Sequence, residues 1–158
     1  MMKYIVWDRE RFSTVFSEKE ARSVERAMHG LDREIINTVP AGLLEKIEES
    51  GKNDSFLIVG GHSLFPFGMV ENPARDSDEI VWTDNTYGST DNDSLLPERS
   101  VGRLPDGKNA GLLLKQLHYL KESDKIQRKT LGLTAAVWVD ASHNVYRLIS
   151  ENDILKSP

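Results

Sequence analysis

A chain of 158 residues is long enough for one domain with a core of its own. Its formal net charge is −5, with both signs interspersed and no dense Lys/Arg run. That balance argues against nucleic acid or an anionic membrane as the main partner, because phosphate binding needs a basic patch. Cysteine is absent, so no disulfide, thiolate metal site or cysteine nucleophile can come from this chain.

Residues 3–7, "KYIVW", are rich in β-formers and predict a first strand. The next stretch, "DRERFSTVF", is expected to be a loop or short turn. Ser17 with Glu20 three residues on is a capping-box pattern, and Gly30 is a natural stop. Val24, Ala27 and Met28 supply the apolar stripe between them, so a helix is predicted over 18–29. "LDREIINTV" (31–39) reads either as a short strand around Glu34–Thr38 or as a continuation of that helix. Pro40 marks a boundary, and "AGLLEKIEES" before Gly51 predicts a second helix.

"SFLIVGG" (55–61) is the clearest buried strand, a continuous apolar run of the kind found in a central parallel position. "HSLFPFGMVENPARDSDEI" is a long excursion with two prolines, and loops of this length are often functional. "RSVGRL" (99–104) predicts another strand, closed by Pro105-Asp106-Gly107. "NAGLLLKQLHYLKES" (109–123) predicts an amphipathic helix. "LGLTAAVWVDASHNVYRLISEN" (131–152) predicts a last helix, with Trp138 and Tyr146 as core residues. Alternating strands and helices predict an α/β fold. The expected architecture is a three-layer sandwich on a mostly parallel, Rossmann-like sheet, with residues 1–158 as a single domain. No apolar run approaches the roughly 20 residues that span a bilayer. The N-terminus "MMKYIVWDRERF" lacks the apolar core of a signal peptide, so the expected location is cytoplasmic.

Two stretches could carry chemistry. Gly60-Gly61-His62 leaves the end of a central strand, where open α/β sheets bind ligands. His62 could act there as a general base, alone or paired with Asp84 or Asp91; the plain alternative is a tight turn followed by a solvated histidine. The second stretch gathers Asp84, Asn85, Asp91, Asn92 and Asp93. Such a run reads as Asx turns, as a calcium loop without EF-hand spacing, or as an acidic substrate pocket. Arg103, at a strand end, could bind a carboxylate ligand or pair with Asp84 or Asp91. Trp82 could anchor the loop beside Asp84. His118 and His143 lack metal-site spacing, and no P-loop, GxGxxG or GxSxG is present.

Taken in order, "SFLIVGGHSLFPF", "TDNTYGSTDNDSLLPERSVGRLP", an amphipathic helix and "LTAAVWVDASHNVYRLI" resemble the N-terminal half of gingipain-like cysteine peptidases of the caspase–hemoglobinase fold. The carrying positions are Gly60–Gly61, Thr83-Asp84-Asn85-Thr86-Tyr87-Gly88, Asp91–Pro97 and Val101-Gly102-Arg103, within about residues 50–150. The resemblance implies a caspase-like half domain in which Asp84, Tyr87 and His62 border the substrate cleft. It also implies a calcium-supported turn at Asp91 and Asp93, and a structural Val-Gly-Arg strand with a close backbone approach at Gly102. The family usually has an acidic residue after the strand glycine, where this chain has Gly61 and His62. The family's catalytic histidine and cysteine lie on later strands, so no catalytic residue carries over and this chain alone is expected to be inactive. The implied partner is a peptide or protein substrate; the alternative is a stand-alone, non-catalytic peptide- or protein-binding module. A half sheet would leave an exposed edge, which predicts a homodimer through that edge.

Overall fold

The computed structural model describes residues 1–74, 77–90 and 96–122. Four parallel strands form the main sheet: β1 (Lys3–Trp7), β2 (Glu34–Asn37), β3 (Ser55–Val59) and β6 (Ser100–Leu104). Their order is β2-β1-β3-β6, with Tyr4 opposite Glu34 and Phe56, and Phe56 opposite Val101. Successive side chains of a strand point to opposite faces. Ile5 and Trp7 therefore enter one core while Tyr4 and Val6 enter the other, and all four are buried. A strand buried on both faces must be apolar throughout, which is why "KYIVW" and "SFLIV" carry no polar alternation.

Helices cover both faces and complete a three-layer α/β sandwich. α1 (Arg9–Val15) and α2 (Glu18–His29) join β1 to β2, and α3 (Pro40–Glu49) joins β2 to β3. The chain reverses its direction across the sheet between these two connections. Right-handed crossovers then place α1 and α2 on one face and α3 on the other. Phe12, Phe16, Val24 and Met28 accordingly share one core with Leu113 and Leu117 of α4 (Ala110–Lys121). Leu43 and Ile47 of α3 share the second with Phe56, Ile58, Phe65 and Tyr87.

The β3-to-β6 connection runs the same way as β2-to-β3 and lies on the α3 face, but it contains no α-helix among the described residues. Its elements are an antiparallel hairpin, β4 (Gly68–Glu71) with β5 (Ile80–Thr83), and a 3₁₀ turn at Asn85–Tyr87. The excursion expected to be loop thus holds a small second sheet.

Ser17 builds the anticipated capping box, giving its hydroxyl oxygen to the Glu20 N–H and its own N–H to the Glu20 carboxylate. The ambiguous 31–39 stretch resolves as the strand β2. Three expectations need correction or fall away. "DRERFSTVF" is the helix α1 rather than a loop: Asp8 caps it by accepting the Arg11 N–H at 2.9 Å, and Phe12 is fully buried against Trp7. Gly102 makes no close backbone approach; a Cβ there would meet Leu57 Cδ1 at an ordinary 3.6 Å. The helix expected over 131–152, with Trp138, His143 and Tyr146, lies outside the described residues.

Phe12 decides between the helix and the loop. Phe12→Ala is expected to lower stability by about 3–5 kcal/mol, read from the urea midpoint. A change within ~0.5 kcal/mol would be the behaviour of a surface loop and would contradict the buried helix.

Candidate functional site

The carboxyl ends of β3 and β6 carry the candidate site. β3 runs into Gly60, whose φ of +118° is open to glycine and where an added Cβ would lie 2.7 Å from Leu64 Cβ. That turn sends the chain over the sheet edge and aims the Gly60 carbonyl at β6. Arg103, near the end of β6, receives it. The Arg103 Nη1 donates to the carbonyls of Gly60 and Phe65, both at 2.7 Å. Its Nε and Nη2 donate to the two carboxylate oxygens of Asp84, at 2.8 and 2.5 Å. The guanidinium also lies 4.3 Å from the centre of the Phe67 ring. With the Arg103 side chain only 8% exposed, its charge is left in the protein interior and has to be matched there. A bidentate carboxylate and two carbonyls match it.

An aromatic stack continues outward from this hub. His62 lies over Phe67 with ring centres 5.6 Å apart and planes 22° apart. Its Nδ1 accepts the Phe67 backbone N–H at 3.1 Å. Trp82 meets His62 edge-on at 4.8 Å. Trp82 and its cross-strand partner Met69 face solvent on the outer side of the hairpin, as does Ile80; the three are 55%, 61% and 51% exposed. On the inner side, Tyr87 donates its hydroxyl to the Pro66 carbonyl at 2.7 Å and packs on Phe65. Burial pushes the Tyr87 hydroxyl pKa up, which keeps it a donor. Where Gly68 passes Thr86 there is no room for a side chain: an added Cβ would overlap the threonine side chain.

Two further ties flank β6, one at each end. Buried Asp106, in the turn after β6, accepts the Gly61 N–H at 2.5 Å and the Lys108 N–H at 2.7 Å. Glu98 accepts the Thr90 N–H at 3.0 Å and the Thr90 hydroxyl at 2.9 Å, closing the segment that leads into β6.

The structure therefore brings Asp84, Tyr87 and His62 together around one hub, but in different roles. Asp84 turns inward to Arg103, Tyr87 is buried under the loop, and His62 alone stands at the surface. Asp84 gives both oxygens to Arg103 and His62 gives Nδ1 to Phe67, so the two make no hydrogen-bonded acid–base pair. Asp91 and Asp93 lie outside the described residues. Among the described residues no three His, Asp or Glu side chains converge as a cation site. Trp82 does not anchor the loop beside Asp84 from within; it caps His62 from outside. His118 sits exposed on α4 beside Tyr119. Among the described residues no helix is long and apolar enough to cross a membrane.

Phe67 and Asp106 were not singled out by sequence. The Phe65-Pro66-Phe67 run and the Pro105-Asp106-Gly107 turn were the available signals for them. No protein-family model, curated protein or solved structure matches the chain.

Replacing Arg103 by Met would strand the Asp84 carboxylate and two carbonyls. Arg103→Met is expected to cost about 3–5 kcal/mol in urea denaturation, with Asp84→Leu restoring part of the loss in the double variant. A loss under ~1 kcal/mol would mean that the hub is not what holds the loops.

Glu98 gives a pH dependence with a definite sign. The Thr90 backbone N–H, followed by further hydrogen bonds, holds its pKa below the ordinary value of 4.5. Its stabilising contribution is present in full above that unfolded value and is lost as the pH falls through the lower folded one. The Thr90 amide is expected to lose hydrogen-exchange protection in that acid window; Glu98→Gln should show weakened protection already at neutral pH.

Proposed function

We propose that this chain is a non-catalytic polypeptide-binding domain, the N-terminal, substrate-pocket-side segment of a gingipain-like cysteine endopeptidase whose catalytic histidine and cysteine lie outside this chain. The observation that carries the reading is the solvent-facing Met69–Trp82 pair on a hairpin fixed to the sheet through Arg103. Large aromatic side chains on a rigid support give contact area at little entropic cost. β4 and β5 pair only with each other among the described residues, so both have backbone edges to which an extended segment can add. The order of the motifs from "SFLIVGG" to "SVGRL" supports the peptidase assignment, and the lack of cysteine supports the absence of chemistry within this chain. The bound class is a peptide or protein rather than nucleic acid. A calcium ion at Asp91 and Asp93 belongs to the same reading.

The second reading is a stand-alone binding module on the same scaffold. It is favoured by Asp84, the pocket carboxylate on the peptidase reading, having both oxygens engaged by Arg103. Sequencing the gene past Pro158 separates the two readings. Continuation into strands carrying His-Gly and Cys supports the peptidase, and an immediate stop codon supports the module.

Both readings require the hairpin to bind polypeptide. Reduced, carboxymethylated lactalbumin, a permanently unfolded chain, is expected to bind, and Trp82→Ala to weaken binding about tenfold or more with no change in thermal midpoint. Equal affinity of the two proteins for this probe would remove the hairpin from the site.

A further inference from the structure

The two free edges of the hairpin differ in what they offer. Asn72 gives its N–H to the Glu79 carbonyl at 3.1 Å, so Val70 and Gly68, at alternate positions before it, also turn their main-chain groups toward β5. Met69 and Glu71 turn theirs the other way, to the open side of β4. Phe67 precedes them with the same parity, and its N–H is the one that His62 Nδ1 accepts at 3.1 Å. His62 therefore stands at the root of the β4 edge, where a neighbouring strand would otherwise bond. On β5 the outward groups are those of Ile80 and Trp82, and the edge ends with them. The Asp78 carbonyl is taken by the Asn72 side chain, and the Asp84 carbonyl by the Tyr87 N–H.

His62 is exposed, but its ring is held: it stacks on Phe67, and Trp82 meets it edge-on. A neutral imidazole carries one N–H and one bare nitrogen, and a hydrogen bond at one nitrogen decides the state of the other. With Nδ1 accepting, the hydrogen is on Nε2, and nothing accepts it among the described residues. No bare nitrogen is left for base catalysis. What the ring offers is a fixed donor that continues the β4 edge beyond Met69.

The side chains beside this edge are apolar or acidic. Met69 and Trp82 are exposed, and Glu71 shares their face by strand alternation. The described residues of the hairpin include no lysine or arginine, and Arg75, between the strands in sequence, lies outside them. Arg103, beneath Phe67, already holds both oxygens of Asp84. A carboxylate brought to this edge would be repelled by Glu71; an uncharged carbonyl oxygen would not.

We propose that an extended, uncharged segment of polypeptide adds to the free edge of β4, bonding the main chain of Met69 and Glu71, and that His62 Nε2 donates to the next main-chain carbonyl along it. The segment diverges from β4 at that end by the width of the imidazole. This rests on the hairpin being the polypeptide-binding element, as proposed above, and fixes the strand, the donor and the acceptor chemistry.

The probe is a short peptide of alternating valine and threonine, acetylated and amidated so that it carries no charge. Nitrogen-15 spectra of the full chain at mildly alkaline pH should show His62 with a bare Nδ1 and a protonated Nε2; the opposite tautomer overturns the proposal. On binding, the Met69 and Glu71 amides should gain hydrogen-exchange protection, and those of Ile80 and Trp82 should not. N-methylation of the peptide at alternate residues should block binding, and at the intervening residues should leave it. His62→Asn, which keeps an acceptor for the Phe67 N–H but has no outward donor, should weaken binding about three- to tenfold at an unchanged thermal midpoint, and His62→Gln should recover part of the loss. Protection at Ile80 and Trp82 instead would move the segment to β5 and overturn the proposal. Tighter binding of the same peptide with a free carboxylate would do so as well, by making the acceptor a charged terminus. If the peptide fails while carboxymethylated lactalbumin still binds through Trp82, this inference falls alone. If neither binds, the hairpin falls with it as the binding element.

Discussion

A guanidinium that is 8% exposed cannot be left unmatched, and the organisation of the carboxyl-end loops follows from that constraint at Arg103. Its donors are distributed among Gly60 and Phe65 of the loop after β3 and Asp84 of the turn after β5, so it joins two separate loops. Satisfying one partner therefore positions the others. The Gly60 carbonyl can face Arg103 only because the chain takes a glycine-only conformation there. Phe67 then covers the outer face of the cation, and His62 stacks on Phe67. A charge on one strand thus ties the loop after β3 to the turn after β5.

That path matters because the β3-to-β6 crossover has no α-helix among the described residues. Parallel neighbours need a long connection, and a helix normally supplies both the length and the apolar face that covers the sheet. Here Phe65 and Tyr87 cover the sheet beside Leu43 and Ile47, and the hairpin projects beyond them. A two-stranded hairpin is marginal by itself. Its stability has to come from its root, which is where Arg103, the Tyr87–Pro66 hydrogen bond and the close passage of Gly68 by Thr86 are concentrated. Among the described residues no layer covers the outer face, and Met69, Ile80 and Trp82 are exposed.

The parallel sheet was legible because buried strands must be apolar on both faces, and "KYIVW" and "SFLIV" announce this directly. α2 was legible from Ser17, Glu20 and the Val24–Met28 spacing. α1 was missed because seven residues with one fully buried side chain give little periodicity. Its signals were Asp8 as cap and the Phe12–Phe16 spacing, which read equally well as a turn. The hairpin was missed because Met69, Glu71, Ile80 and Trp82 all face outward, so apolar and polar residues do not alternate between core and solvent. At the site, sequence reached the Arg103–Asp84 pair as one of two options. It favoured the pairing over a ligand role but left Asp84 and Asp91 both open as the partner, because which carboxylate turns inward depends on how the loops pack around the buried arginine, a property of the assembled sheet.

The fold also sorts exposed side chains in a way that the chain's even mixture of signs conceals. Lys19, Arg22 and Arg26 fall on one line only once helical periodicity places them there. Met69 and Trp82 fall side by side only once the hairpin pairs. Each arrangement is imposed by burial on the opposite side of its element: Ala21, Val24 and Met28 turn the cations outward, and half-buried Val70 and Val81 turn Met69 and Trp82 outward. A small acidic domain with little overall polarity in its sequence is thereby given two unlike surfaces, and the aromatic one is held rigid by the buried arginine beneath it.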